Sequence, residues 1–297
     1  MKQLLMAVAV CLTMTACEKA IEVEELGQQT EVELPDGTVA KTKKFTFTMK
    51  GDFSDDWKTT RGYLAADGRD MTDVWVLDYM NGQLVQQLHQ GDNTADDFGK
   101  PQMSLAYGSH HVYFVASRGT GADMNVGEHR LTWEKVSDTF YKDYAINVTG
   151  TSNGSRTVTL DRCVTKLTAV ITDEIPTGAA TFNITPTAWH YGIDYVSGNP
   201  TAATASQTIT INIPSSEIGF TGERLNIFGF SADDEWTTDV AIDCKTSTGT
   251  ILGTATITDV PLKQNRITTF SGPLFSAEGL TTVSLSTEWL DAHTGTW

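Results

Sequence analysis

Few residues of this chain are of types that do chemistry, and their spacing argues against most of it. His110 and His111 are the obvious pair of metal donors. In a strand, neighbouring side chains point to opposite faces, so adjacent imidazoles do not converge on one ion. No metal is expected there. Asp92, Asp96 and Asp97 lie in a Gly-flanked loop that could gather around calcium. They miss the alternate-position spacing of a calcium loop, and a solvated turn fits them better. Asp233, Asp234 and Glu235 beside Trp236 have the composition of a glycosidase site, paired carboxylates next to a sugar platform. Nothing in the sequence sets the separation that such chemistry needs, and neighbouring loop acids are usually only a charged turn. Trp189, Tyr191 and Tyr195 would stack on a glycan if exposed, but aromatics in strand-like runs mostly serve core and cross-strand packing. There is no Gly-x-Ser-x-Gly elbow, and neither Cys163 nor Cys244 has a histidine close by in sequence. The sequence predicts no enzyme and no cofactor.

One cysteine sits where a reaction is expected. Lys2 gives a positive start, Leu4 to Leu12 an apolar run, and Met14-Thr15-Ala16 small residues directly before Cys17. The run is far shorter than the roughly 20 residues that cross a bilayer and is followed at once by Glu18 and Lys19, so it reads as a signal peptide over residues 1–16. A lipoprotein peptidase needs a cysteine immediately after the cut, because that thiol receives the diacylglycerol. Cys17 is therefore the expected lipidation site. Each buried methylene of a lipid chain contributes about 0.8 kcal/mol, so two or three chains hold a domain on a membrane without a protein span. Of the other cysteines, Cys11 leaves with the signal peptide. Cys163 shares strand parity with Leu167 and Ile171, and Cys244 with Val240 and Ile242, so both are expected to point inward. A disulfide and two inert buried thiols both remain open. Without histidine partners the pair makes no zinc site.

The elements that position these residues read almost entirely as strands. Between Glu18 and Asp36 stand seven carboxylates and one lysine, so residues 17–40 read as a solvated acidic tether. From Lys41 onward the period is two. Phe45, Phe47 and Met49 alternate with threonines, and Val74 to Tyr79 turns at Asn81-Gly82 into Gln83 to Gln90. Further strands are expected over His111–Ser117, Tyr144–Val148, Val158–Ile171, Thr181–Thr185, Gln207–Ile213, Leu225–Phe230, Val240–Lys245, Ile251–Ile257, Arg266–Phe270 and Val283–Trp289. Short strands between Gly, Asn, Asp and Pro turns predict an all-β chain of two sandwiches. The polar stretch Thr149 to Ser155 is either a joint or a hairpin loop. Placing the boundary there gives residues 41–154 and 155–297. A net charge of −16, with no Lys/Arg cluster to offset it, would repel a polyphosphate backbone and excludes nucleic acid as a partner.

Several runs carry a resemblance. Met71-Thr-Asp-Val-Trp-Val-Leu-Asp-Tyr-Met80, Tyr107-Gly-Ser-His-His-Val-Tyr-Phe-Val-Ala-Ser-Arg118, Val136-Ser-Asp-Thr-Phe140, Trp189-His-Tyr-Gly192 and Pro261-Leu-Lys-Gln-Asn-Arg266 resemble the fimbrillin-like lipoproteins of Bacteroidetes, and in particular the minor, anchor-type subunits of type V pili. The resemblance spans residues 41 to 275. It implies two tandem transthyretin-like sandwiches on an outer-membrane lipoprotein that builds or anchors a surface fimbrium, with other fimbrial subunits as partners joined by strand addition. A surface module for glycan or host protein is the alternative. In stalk subunits of this kind a protease cuts after an arginine beyond the first strand, and Arg61 sits in a comparable place. A cut there would part both sandwiches from the lipid on Cys17, so the chain is expected to stay uncut and to meet a partner through the strand near Val283 to Trp289.

Overall fold

In the computed structural model of the protein, residues 31–51, 71–91, 95–205, 207–232, 234–276 and 282–286 are described. Cys17, Arg61, Asp92 and Asp233 lie outside them. In chain order the first strands are β1 (Glu31–Glu33), β2 (Val39–Gly51), β3 (Asp73–Met80), β4 (Gln83–Gln90), β5 (Gln102–Ala106) and β6 (Gly108–Ser117). The next are β7 (Asp123–Asn125), β8 (Arg130–Thr132), β9 (Thr139–Val148), β10 (Ser155–Arg162), β11 (Val164–Ile171), β12 (Ala179–Pro186), β13 (Ala188–Trp189) and β14 (Gly192–Asp194). The last are β15 (Thr204–Ala205), β16 (Ile209–Asn212), β17 (Glu223–Phe230), β18 (Trp236–Thr246), β19 (Ile251–Leu262), β20 (Ile267–Gly272) and β21 (Thr282–Ser286). Among the described residues there is no α-helix, and the chain is all-β as expected.

The first large sheet runs β1-β2-β10-β9-β6-β3-β4, with β5 on the free side of β2. The Asn81-Gly82 turn closes the β3/β4 hairpin with positive φ at both residues (52° and 75°), which a two-residue primed turn demands. One face of this sheet buries Phe45, Phe47, Val74, Val76, Leu105, Val112, Phe114 and Leu160 in a first core. The second half is a sandwich of two four-stranded sheets, β17-β11-β20-β21 and β16-β12-β18-β19. Leu167, Ala169, Ile227 and Phe270 from the first of these meet Phe182, Ile184, Val240 and Ile242 from the second.

Three expectations change. Val158 to Ile171 is not one strand: β10 ends at Arg162 and β11 begins at Val164, in different sheets. Cys163 is the crossing point, donating its amide to the Thr139 carbonyl and accepting at its own carbonyl from Ser231. Consequently residues 149–154 form a loop inside the first sheet, and β10 lies with β2 and β9 rather than beyond a boundary at 154/155. Finally, part of the expected tether is folded. Asp36 accepts from the amide and the hydroxyl of Thr38, and the turn lays β1 against Val39, Ala40 and Lys41. Leu-Pro-Asp-Gly-Thr is a turn sequence that the acidic composition obscured.

The halves are not strung end to end. The second face of β3 and β6, carrying Trp75, Leu77, Tyr79, Tyr113 and Val115, packs into the core of the second half. Between them lies the small sheet β14-β8-β7, in which β8 from the first half pairs with β14 from the second.

Candidate assembly site

The residues singled out for chemistry are placed by the sheets as structural groups. His110 and His111 leave β6 on opposite faces, the first fully buried and the second exposed. His110 Nε2–H donates to the Ala106 carbonyl at 2.9 Å, and Nδ1 faces Asp78 Oδ1 at 2.7 Å. Two acceptors on one ring call for both protons. Burial alone would push the His110 pKa down, but the hydrogen bond and charge of Asp78, with the Ala106 carbonyl, outweigh it and hold the pKa above the ordinary imidazole value. His111 instead faces Asp143 across to β9.

Asp96 and Asp97 are exposed in a turn closed by backbone bonds from Phe98 to Ala95 and from Lys100 to Asp97. Asp234 and Glu235 lead into β18, where Trp236 donates to Ser231 Oγ at 2.9 Å and packs on Trp189 and His190. Trp189 and Tyr195 are fully buried and Tyr191 nearly so, which leaves no aromatic platform for a sugar at these positions. Trp189 donates to the Phe228 carbonyl at 2.9 Å and lies so close to Gly229 that a Cβ there would stand 2.6 Å from the indole. Tyr195 meets Tyr79 hydroxyl to hydroxyl at 3.1 Å, across the two halves.

Cys163 and Cys244 are both buried and free. Burial raises both thiols, Cys163 strongly with help from the Asp138 carboxylate and Cys244 to about 11. Neither forms thiolate readily, so both are inert.

A cluster that no single stretch of sequence announces holds the joint. Arg162, buried at the end of β10, donates to both oxygens of Asp138 (2.7 and 3.1 Å) and to Asn265 Oδ1 (3.2 Å). Its guanidinium also lies 4.7 Å from the Phe140 ring centroid. Arg118 approaches the same carboxylate at 3.9 Å. Gln264 donates to the Arg162 carbonyl and the Asn265 amide to Val164. Arg118, Asp138, Gln264 and Asn265 all lie in the runs that carry the fimbrillin-like resemblance. Those runs mark the joint between halves, where a planar bidentate fork fits a carboxylate.

Two strands bear on the expected strand addition. β2 pairs with β5 on one side and in parallel with β10 on the other, so it is an interior strand. Phe45 and Phe47 project from it, fully buried and 6.0 Å apart, and Phe47 meets Phe114 edge-on at 5.2 Å. Each such burial stabilises by about 1.5–3 kcal/mol, so losing β2 would open a groove that is apolar inside and unpaired along both walls. Toward the other end of the chain, β21 pairs with β20 alone among the described strands and lies at the edge of their sheet.

The sequence matches, over residues 127–296, a family described as a family of unknown function (DUF6562). No curated protein matches it. Among solved structures, a candidate adhesin from Bacteroides ovatus is similar at 11% identity and a TM-score of 0.49, covering 84% of this chain and 94% of that one. A candidate adhesin from Bacteroides thetaiotaomicron also reaches a TM-score of 0.49, at 9% identity, covering 84% and 98%. A fimbrial assembly protein from Parabacteroides distasonis reaches 0.46 at 9% identity, covering 82% and 99%. All three lie below a TM-score of 0.5, and their names remain statements about those proteins.

Proposed function

The chain belongs to the DUF6562 family of unknown function, and we propose that it is a lipid-anchored surface protein serving as a fimbrial subunit of anchoring type. It is fixed to the outer membrane through Cys17 and joins its neighbours by strand addition. The observation that carries this reading is the contrast between its first long strand, β2, and its last described one. β2 fills its own groove with Phe45 and Phe47, whereas β21 lies at a sheet edge with one side unpaired by any described strand. An edge of backbone donors and acceptors is the element that strand addition uses. A subunit that keeps β2 has no vacancy for a donor there and offers its partner the other end. The joint residues add support: Arg162, Asp138 and Asn265 tie the halves into one body, as a structural subunit requires.

Mass spectrometry and N-terminal sequencing of the protein extracted from the cell surface test this reading. A chain beginning at acylated Cys17 is expected. A chain beginning at Gly62, cut after Arg61 and freed from its lipid, would overturn the anchoring role.

A further inference from the structure

The net charge of −16 hides a local reversal. Three adjacent strand segments, residues 37–51, 98–106 and 147–160, contain Lys41, Lys43, Lys44, Lys50, Lys100 and Arg156 and not one Asp or Glu. They are β2, its neighbour β5 and β10 as far as Leu160, with parts of their flanking turns; the next residue of β10, Asp161, is already paired with Lys142 at 2.9 Å. Strand parity sorts their side chains. Phe45, Phe47, Met103, Leu105, Val158 and Leu160 are buried, so Lys44, Thr46, Thr48, Lys50, Gln102, Ser104, Ser155, Thr157 and Thr159 take the outer face. Lys44 stands opposite Ser104, and Lys50 opposite Thr159. The ladder continues beyond β5 through bonds from Phe47 to Pro101 and from Met49 to Gly99, which puts Lys100 on the outer side beside Thr48.

Lys44, Lys50 and Lys100 are exposed, and no ion pair joins any of them to a carboxylate of the described residues. Described acids occur at the rim, Glu31 opposite Lys41 and Asp97 in the turn before Lys100. Six residues of strand separate Lys44 from Lys50, about 20 Å at 3.3 Å per residue. The result is an outer sheet face that carries three ammonium groups among hydroxyls and amides, all able to donate hydrogen bonds.

We infer that this face docks on the anionic headgroups of the membrane that carries the protein. Phosphate-bearing headgroups are acceptors spread over a surface, and a sheet face of lysines and hydroxyls matches them in charge and hydrogen-bonding sense. Chain position favours the lipid surface over another polyanion. β1 lies directly on β2, and the thirteen residues between Cys17 and Glu31 reach at most about 45 Å, so the anchor keeps this face near the bilayer. The inference rests on the proposed Cys17 anchor for that proximity, while the binding itself belongs to the face.

The test uses the full chain carrying Cys17→Ala, which no lipid can hold to a bilayer. It is sedimented with vesicles of phosphatidylcholine alone or with about 30 mol% phosphatidylglycerol, at ~0.1 and ~1 M salt, where the screening length falls from about 10 to about 3 Å. Binding to the anionic vesicles alone is expected, lost at high salt and weakened at least about tenfold by K44E/K50E/K100E. Reversal of the exposed Arg224, R224E, should leave it unchanged. Equal binding of the triple variant and the parent would overturn the inference. So would binding that appears only when Glu22, Glu24 and Glu25 are all changed to Gln, which would give the face to the chain's own acidic segment. Labelling of the unaltered chain with a palmitate analogue reports separately on the anchor, so failure of one is not mistaken for failure of the other.

Discussion

β3 and β18 are both interior strands of their sheets, yet their residues follow different rules. From Asp73 to Tyr79 every residue of β3 is buried: Val74 and Val76 face the first core, Trp75, Leu77 and Tyr79 the second. β18 alternates, with Val240, Ile242 and Cys244 inside and Ala241, Asp243 and Lys245 on the outer side. That outer side is closed by polar side chains. Thr210 donates to Asn183 at 2.8 Å, Asn183 donates to Asp243 at 2.7 Å, and Lys245 pairs with Asp243 at 3.3 Å. A sheet covered on both faces is a shared layer, and its side chains hold two halves at once. A sheet with one wet face holds only its own. Stability in this molecule is therefore concentrated where the halves meet.

The sharpest way to break this comparison is at Trp133, wedged between Trp75 (5.7 Å) and Phe230 (5.2 Å) from different halves. Trp133→Ala should cost about 3–5 kcal/mol in urea denaturation. It should also separate transitions that otherwise coincide when followed by tryptophan fluorescence and circular dichroism. Asp138→Ala comes next, at about 3 kcal/mol, because it strips the buried Arg162 of its carboxylate while Asn265 keeps one bond. A loss below about 1 kcal/mol would show the joint to be dispensable.

The His110–Asp78 pair sets a pH dependence inside the first core. Its imidazole titrates higher folded than unfolded, so the folded state binds the extra proton more tightly. That stabilisation is complete below the unfolded value, about 6.5, and is lost as pH rises through the folded value above it. Denaturation midpoints measured from pH 5 to 9 (roughly the span over which imidazole titrates) should fall across that window in the parent and stay flatter in H110Q. The smallest effect belongs to the wet face. Thr185→Ala removes a hydroxyl contact to Thr208 and should change stability by no more than about 0.5 kcal/mol.

Much of the fold is legible in local pattern. The alternation of Phe45, Phe47 and Met49 gives β2, and Asn81-Gly82 fixes the β3/β4 hairpin to the residue. The unbroken run Val-Trp-Val-Leu-Asp-Tyr even signals burial on two faces, though nothing in it tells which second layer does the covering. Strands of two or three residues, such as β8 and β14, carry too little pattern to be seen, and these are the ones that interlock the halves. The break at Cys163 has no Gly or Pro to mark it, because the backbone turns from one sheet into the other by exchanging hydrogen-bond partners. The joint is illegible for a different reason: Arg162 and Asn265 are brought together only by the crossing of β10 into β11. Of the candidate site, Cys17 and Arg61 rest on sequence alone, while β21 at the sheet edge overlaps the strand read over Val283–Trp289 at residues 283–286, the remainder lying outside the described residues.

The direction of two pairings matters once the protein is pulled. β10 runs parallel to β2 over six registered pairs, and β11 runs parallel to β20 over another six. Tension between the N-terminal end and the C-terminal edge enters β2 at its start and leaves β10 at its finish, then enters β11 at its start and leaves β20 at its finish. Parallel neighbours drawn from opposite ends slide along each other, so their hydrogen bonds stretch together instead of opening one at a time as in a hairpin unzipped from its mouth. Both halves are thus loaded in shear, with the contacts at the joint sharing the load that the backbone carries through Cys163. The molecule is arranged to resist being drawn out along its own chain more strongly than being peeled open from the side.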